Sequence, residues 1–109
     1  MSETIKVLGQ SAPSATTETV LYTVPAATST VASSLVVCNR GTSDTTFRVS
    51  ISVGGGATAN EDYIYYDVIL AQADTFIATV GLTMAASDVV RVYAGNGNLS
   101  FSLYGVERT

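Results

Sequence analysis

Histidine and tryptophan are absent from this sequence of 109 residues, and cysteine occurs once, as Cys38. Without histidine there can be no Ser-His-Asp triad, and the usual zinc and copper sites built on histidine and cysteine are excluded. A single cysteine cannot form an intramolecular disulfide, and Cys38 lies in an apolar run, where a thiol behaves as a small buried hydrophobe. The residues therefore predict neither an enzyme nor a metal or cofactor site.

Charged residues are also scarce, with five basic and nine acidic side chains and a formal net charge of −4. The basic residues are scattered and form no cluster of the kind that binds phosphates. No apolar run approaches the roughly 18 residues that a membrane-spanning helix needs, and the first ten residues lack the apolar core of a signal peptide. The sequence thus argues against nucleic acid and membrane as partners, and predicts synthesis in a cytoplasm without ordinary export.

The polar segment 54–62 contains two features that resemble binding sites. Gly54, Gly55 and Gly56 are not followed by the lysine and the Ser/Thr that complete a phosphate-binding loop. Glu61 and Asp62 are the only adjacent acidic pair, and the loop offers fewer oxygen ligands than calcium requires. The segment is therefore predicted to be a flexible loop with a solvated end.

What the sequence does contain is typical of β-strands. Serine and threonine make up about a quarter of the chain, and nearly half of the residues are hydrophobic. Valine, isoleucine, threonine and tyrosine favour the pleated, half-buried surface of a sheet. The length is enough for one domain with a single core.

The clearest pattern is the stretch 35–53. Leu35–Cys38 is apolar at every position, whereas Phe47–Val53 alternates between apolar and polar residues. A period of two is what a strand with one buried face requires. Because Asn39–Asp44 between them supplies turn-forming residues, the stretch is predicted to be a β-hairpin on which the core is built.

About eight short strands with intervening turns are predicted. They cover 5–8, 18–24, 30–38, 47–53, 63–70, 75–80, 88–94 and 99–106. Gly81 is expected to form a bulge, and the Asn-Gly pair within Gly95–Asn98 indicates another hairpin. The predicted fold is all-β: a single antiparallel sandwich of jelly-roll type, with an immunoglobulin-like sandwich as the alternative. Residues 1–10 form either its first strand or an arm that pairs with a neighbour, and 11–109 form the sandwich domain.

Six tyrosines are many for so short a chain. Alternation along Tyr63–Leu70 places Ile64, Tyr66, Val68 and Leu70 toward the core and Tyr63 and Tyr65 outside, beside Asp67. Since tyrosine combines an apolar body with a polar tip, it suits protein interfaces and sugar stacking.

Several strands also carry apolar residues on both faces. Val36 and Cys38, or Val89 and Tyr93, would leave apolar groups on the outer face, and exposed apolar patches often mark association surfaces. Tyr63, Tyr65 and Tyr93 are the candidate subunit-interface residues, and self-association through cyclic symmetry is predicted.

Five segments resemble a group of small virion proteins of tailed bacteriophages, and the resemblance covers nearly the whole chain. They are LYTVPA (Leu21–Ala26), VVCNRG (Val36–Gly41), TFRVSI (Thr46–Ile51), DVVRVYA (Asp88–Ala94) and LSFSLYG (Leu99–Gly105). The resemblance consists of strands and turns and includes no catalytic residues.

The resemblance implies a structural protein that works by assembly. The preferred expectation is a capsid decoration, or cement, protein: a homotrimer on the capsid surface that bridges subunits of the major capsid protein. The alternatives are a tail- or fibre-associated accessory protein and a small carbohydrate-binding module.

Overall fold

The computed structural model describes residues 2–109 and contains eight β-strands, along which buried and exposed side chains largely alternate. The strands are β1 (Glu3–Ser11), β2 (Thr19–Thr23), β3 (Ser29–Asn39), β4 (Thr45–Ser52), β5 (Tyr63–Leu70), β6 (Thr75–Met84), β7 (Val89–Ala94) and β8 (Leu99–Arg108). Helical structure within residues 2–109 is limited to two three-residue 3-10 turns, Val53–Gly55 and Asn60–Asp62. Neither turn is long enough to cross a membrane.

The strands form two antiparallel sheets of four. Sheet I has the order β1-β8-β3-β6, and sheet II has the order β2-β7-β4-β5. The pairs β4 with β5, β3 with β6, β2 with β7 and β1 with β8 are nested, since each pair encloses the previous one along the chain. This is the jelly-roll arrangement of eight strands. The prediction of an all-β, jelly-roll-like sandwich is confirmed, and the strand order is not that of the immunoglobulin-like alternative.

The first strand belongs to the sandwich. β1 pairs with β8 of the same chain from Glu3, opposite Arg108, to Ser11, opposite Phe101. The N-terminal segment therefore contains a strand at the edge of sheet I that pairs within its own chain.

The predicted hairpin between Leu35–Cys38 and Phe47–Val53 is wrong. β3 pairs with β6 and β8 in sheet I, whereas β4 pairs with β5 and β7 in sheet II. The turn between them therefore crosses from one sheet to the other. Buried Asn39 holds this crossing, because its Nδ2 donates to the carbonyl oxygens of Ser43 at 2.9 Å and Leu70 at 3.2 Å.

The hairpin predicted from the Asn-Gly pair is wrong for the same reason. Gly95–Asn98 connects β7 of sheet II to β8 of sheet I, and these two strands do not pair with each other. Among the strands of residues 2–109 that follow one another in sequence, only β4 and β5 are hydrogen-bonded neighbours.

An aromatic cluster joins the two sheets at the centre of the core. Phe47 of sheet II is fully buried, and its ring centroid lies 5.2 Å from that of Phe76 and 6.1 Å from that of Phe101, both in sheet I. Tyr65 of sheet II completes the cluster at 6.2 Å from Phe47. Such tilted and edge-to-face contacts stabilise aromatic pairs beyond the area they bury.

Candidate functional site

The outer face of sheet II carries an arginine held between two tyrosine rings. The Cζ atom of Arg48 lies 4.3 Å from the ring centroid of Tyr66 and 4.5 Å from that of Tyr93. Its Nε donates to Oδ1 of Asp67 at 2.6 Å, and its Nη2 donates to Oδ2 at 3.3 Å. The hydrogen bonds that Arg48 donates to Asp67 raise the pKa of Arg48 above its usual value, so the guanidinium stays charged.

A bulge in β5 creates this arrangement. Phe47 pairs with Val68 and Val49 pairs with Tyr65, so both Tyr66 and Asp67 lie opposite the single residue Arg48. Asp67 has a positive φ of 50°, a conformation that aspartate tolerates better than branched residues do. Two consecutive side chains of β5 therefore reach the same arginine.

Tyr63 extends the cluster toward the end of β5. Its ring centroid lies 4.9 Å from that of Tyr66, with the two planes at 83°. We call Arg48, Tyr63, Tyr66, Asp67 and Tyr93 the Tyr–Arg patch. Tyr66 is 57% exposed and is the most accessible ring of the group, so it presents the patch to the surroundings.

The structure brings together two of the three tyrosines predicted as interface residues. Tyr63 and Tyr93 both belong to the Tyr–Arg patch. Tyr65 does not, because the bulge turns its ring inward, 5.3 Å from the ring centroid of Phe76. Tyr66, predicted to face the core, lies outside instead. Arg48, Tyr66 and Asp67 were thus missed as site residues, and the only signal in the sequence was an aspartate inside an otherwise apolar strand.

The patch is suited to binding a protein surface. Tyrosine and arginine are among the residue types that contribute most to the energy of protein interfaces. Arg48 is already fixed by two rings and a carboxylate, so little conformational entropy is lost when a partner binds. The guanidinium also covers one face of Tyr66 and one face of Tyr93, which removes stacking area that a sugar ring would use.

A network of hydrogen bonds ties the glycine-rich loop to the same sheet. Nη1 of Arg91 donates to Oγ of Ser52 at 2.8 Å and to the carbonyl oxygen of Gly56 at 2.8 Å. Oδ2 of Asp62 accepts from the backbone N–H of Ala59 at 2.8 Å. The segment 54–62 connects β4 to β5, and Asp62 of the acidic pair contributes a carboxylate that closes the connection.

The outer face of sheet I has a different character. Neighbouring strands place β-branched and hydroxyl side chains side by side, as in the row formed by Ile77, Val36 and Ser102. Val36 and Cys38 are half-buried on this face, and Ile77 is 70% exposed. The second apolar face of Leu35–Cys38 is therefore not covered by the sandwich itself.

A buried hydroxyl connects the two sheets at one end of the sandwich. The hydroxyl of Tyr22 in sheet II donates to Oε2 of Glu107 in sheet I at 2.6 Å, and Oγ1 of Thr30 lies 2.8 Å from the same hydroxyl. Lys6 donates to the other carboxylate oxygen at 3.2 Å. Burial, together with Glu107, raises the pKa of Tyr22 to about 12. The hydrogen bond from Tyr22, followed by that from Lys6, lowers the pKa of Glu107.

These shifts predict how the stability of the domain depends on pH. Since the folded-state pKa of Tyr22 is raised, its contribution is complete below its ordinary pKa of 10.0 and is lost as the pH rises toward about 12. Since the pKa of Glu107 is lowered, its contribution is present above its ordinary pKa of 4.5 and is lost on acidification. Denaturant unfolding at a series of pH values measures both effects.

The matched variants are Tyr22→Phe and Tyr104→Phe. Tyr22→Phe should lower the free energy of unfolding by about 1–2 kcal/mol at neutral pH. It should also abolish the part of the stability loss at alkaline pH that comes from Tyr22. Tyr104→Phe, on the outer face of sheet I, should lose stability at alkaline pH as the wild type does. An identical alkaline profile for wild type and Tyr22→Phe would contradict the assignment.

Comparison of the chain with protein-family models, with curated proteins and with solved structures finds no match. Its function is therefore argued from its surfaces and from the sequence resemblance.

Proposed function

We propose that this chain is a non-enzymatic virion structural protein of a tailed bacteriophage, made in the host cytoplasm, that decorates the capsid surface and stabilises the head by bridging subunits of the major capsid protein. The observation that supports a binding role is the Tyr–Arg patch, a pre-ordered group of interface-type side chains on a rigid sheet. The placement on a capsid rests on the sequence resemblance described above.

The patch fits a protein partner with aromatic or aliphatic groups and hydrogen-bond acceptors. Its single positive charge on Arg48 is balanced by Asp67 at 2.6 Å, so the surface is neutral although the chain carries a net charge of −4. A neutral surface can approach a partner without strong repulsion, and the tyrosine hydroxyls remain as donors. Exposed Ile69, next to Thr46 on the same sheet, adds apolar area beside it.

The proposed mechanism is mechanical. A decoration protein makes many modest contacts that are repeated by the symmetry of the capsid, and multivalency turns them into strong overall attachment. Each attached copy then opposes the outward pressure of the packaged DNA. The resemblance implies that the copies are homotrimers, and this number remains a prediction.

Binding to particles that lack the protein tests the proposal. Wild-type protein should bind such particles and raise the temperature at which they burst, or protect them from chelator and low salt. Tyr66→Ala should weaken binding by about 30-fold, as expected for a central interface tyrosine worth about 2 kcal/mol. Tyr104→Ala, which removes a tyrosine from the outer face of the other sheet, is the control and should bind normally.

Two results would contradict the decoration role. One is equal particle stability with and without the protein, and the other is equal binding by wild type and Tyr66→Ala. Cryo-electron microscopy of the virion distinguishes head from tail attachment directly. A glycan array tests the carbohydrate-binding alternative, for which the covered faces of Tyr66 and Tyr93 predict no binding.

A further inference from the structure

The sandwich has four edge strands, β1 and β6 in sheet I and β2 and β5 in sheet II. An edge strand presents unpaired backbone N–H and C=O groups, which can pair with a strand of another chain. Proteins usually prevent this with charged residues, proline, short strands or bulges at the edge. An edge strand without these features is therefore the one that can pair with a strand of another chain.

Three of the edges carry such features. β1 contains Glu3 and Lys6, and its register shifts between Val7 and Gly9. β2 has only five residues and a register shift of its own. β5 contains Asp67 and two register shifts that interrupt its pairing with β4.

β6 is different from the other three. Its ten residues, Thr75–Met84, include no charged residue and no proline. Its register against β3 is uninterrupted from Thr75, opposite Cys38, to Thr79, opposite Ser34, and shifts only beyond Thr79, where Gly81 forms the predicted bulge. Five straight, uncharged residues thus lie along an open edge.

We propose that β6 pairs with β6 of a second copy of this chain, antiparallel about a two-fold axis at Ile77. This pairing joins the two copies of sheet I into one continuous sheet of eight strands. The inference goes beyond the proposed function and does not depend on it, and the two-fold dimer takes the place of the homotrimer that the resemblance implies.

The side chains of β6 are complementary to themselves in this register. Ile77 meets Ile77 of the partner on the outer face, and Thr75 meets Thr79 of the partner on either side of it. On the inner face, the large ring of Phe76 lies opposite the small side chain of Ala78. Paired β-branched residues and threonines stabilise neighbouring strands, and the large-with-small pairing avoids a clash.

The identity of the partner follows from charge and symmetry. A two-fold contact brings each residue close to its own copy, so any charge near the axis would meet a like charge. The chain as a whole carries −4, yet the edge from Thr75 to Thr79 carries none. This edge therefore allows two copies to approach each other, and Ile77, which is 70% exposed in the single chain, loses part of that exposure against Ile77 of the second copy.

Light scattering coupled to size-exclusion chromatography tests the inference on the full chain. Wild type at micromolar concentration should have twice the chain mass of 11.3 kDa. Ile77→Lys should be monomeric, because two lysines would face each other at the axis. Val31→Lys places the same charge on the inner strand β3, near one end of the outer face of sheet I, and should remain dimeric. Circular dichroism establishes that each variant is folded.

A crosslink provides a second, independent measurement. In a Cys38→Ser background, Ile77→Cys should form an intermolecular disulfide under mild oxidation, whereas Thr83→Cys should not. A monomeric or trimeric wild type, a dimeric Ile77→Lys, or no crosslink through position 77 would overturn the inference. A monomer that still binds phage particles would overturn only this inference, and a dimer that does not bind them would overturn only the proposed function.

Discussion

Replacing Phe47 with alanine is expected to lower the free energy of unfolding by about 3–5 kcal/mol. Phe47 is fully buried and touches aromatic rings from both sheets, with centroid distances of 5.2 Å to Phe76 and 6.1 Å to Phe101. Removing its ring takes away both the transfer energy and the contacts that hold the sheets together. Because small domains are stable by only about 5–15 kcal/mol, the variant loses a large fraction of its stability.

Urea unfolding followed by circular dichroism measures this loss. Phe47→Leu fills part of the space and should cost less than Phe47→Ala. Tyr66→Ala removes an exposed ring from the outer face of the same sheet and should change stability little. A cost below about 1 kcal/mol for Phe47→Ala would show that the aromatic cluster is not the centre of the core.

Gly105→Ala is expected to cost about 3 kcal/mol, at the upper end of the range for overpacking. A Cβ atom on Gly105 of β8 would overlap the backbone carbonyl oxygen of Val31 and would lie 2.8 Å from Cα of Ala32. Both atoms belong to the backbone of the neighbouring strand β3. Since backbone atoms cannot move aside as a side chain can, the two strands must separate locally.

Gly81→Ala is the matched control, because a Cβ atom at Gly81 on the edge strand β6 would meet no atom within 4 Å. Alanine is favoured over glycine in a strand by about 0.5–1 kcal/mol, so this variant should be neutral or slightly more stable. Thermal unfolding of the two variants gives the comparison. Equal effects of the two substitutions would contradict the close approach of β8 and β3.

Wherever a strand is regular, the alternation of apolar and polar residues correctly predicted which side chains face the core. Phe47 and Val49 of β4 and Phe101 of β8 lie in the core as predicted. Ser100 and Ser102 alternate with the buried residues of β8, also as predicted. These assignments succeed because the period of two is a property of the strand itself, and a half-buried strand must place its apolar residues on one side.

Strand pairing could not be predicted in the same way. The turns at Asn39–Asp44 and Gly95–Asn98 contain the residues that reverse a chain, but turn residues do not specify whether the next strand joins the same sheet or the facing one. That choice depends on contacts between strands far apart in sequence, such as β3 with β8 and β4 with β7. Two hairpins were therefore predicted where the chain crosses the sandwich.

The candidate site depends on irregularities in the pairing of β5 with β4. One extra residue in β5 exchanges the faces of Tyr65 and Tyr66 and brings Asp67 to Arg48. A one-residue shift reverses every side chain beyond it, so counting alternate positions gives the wrong face on one side of the bulge. Tyr63 and Tyr93 were identified from their residue type, whereas the partners that hold the patch together required the three-dimensional pairing.

The nested order of the strand pairs also determines how the chain tolerates changes in length. The segments enclosed by successive pairs grow from 53–62 for β4 with β5 to 12–98 for β1 with β8. From the shortest to the longest of these segments the length doubles about three times. Each doubling of loop length adds only about 0.6 kcal/mol of closure entropy, so the whole increase costs about 2 kcal/mol. Residues inserted into a connection at either end of the sandwich are therefore inexpensive, whereas a residue inserted into a strand changes the face of every side chain that follows it.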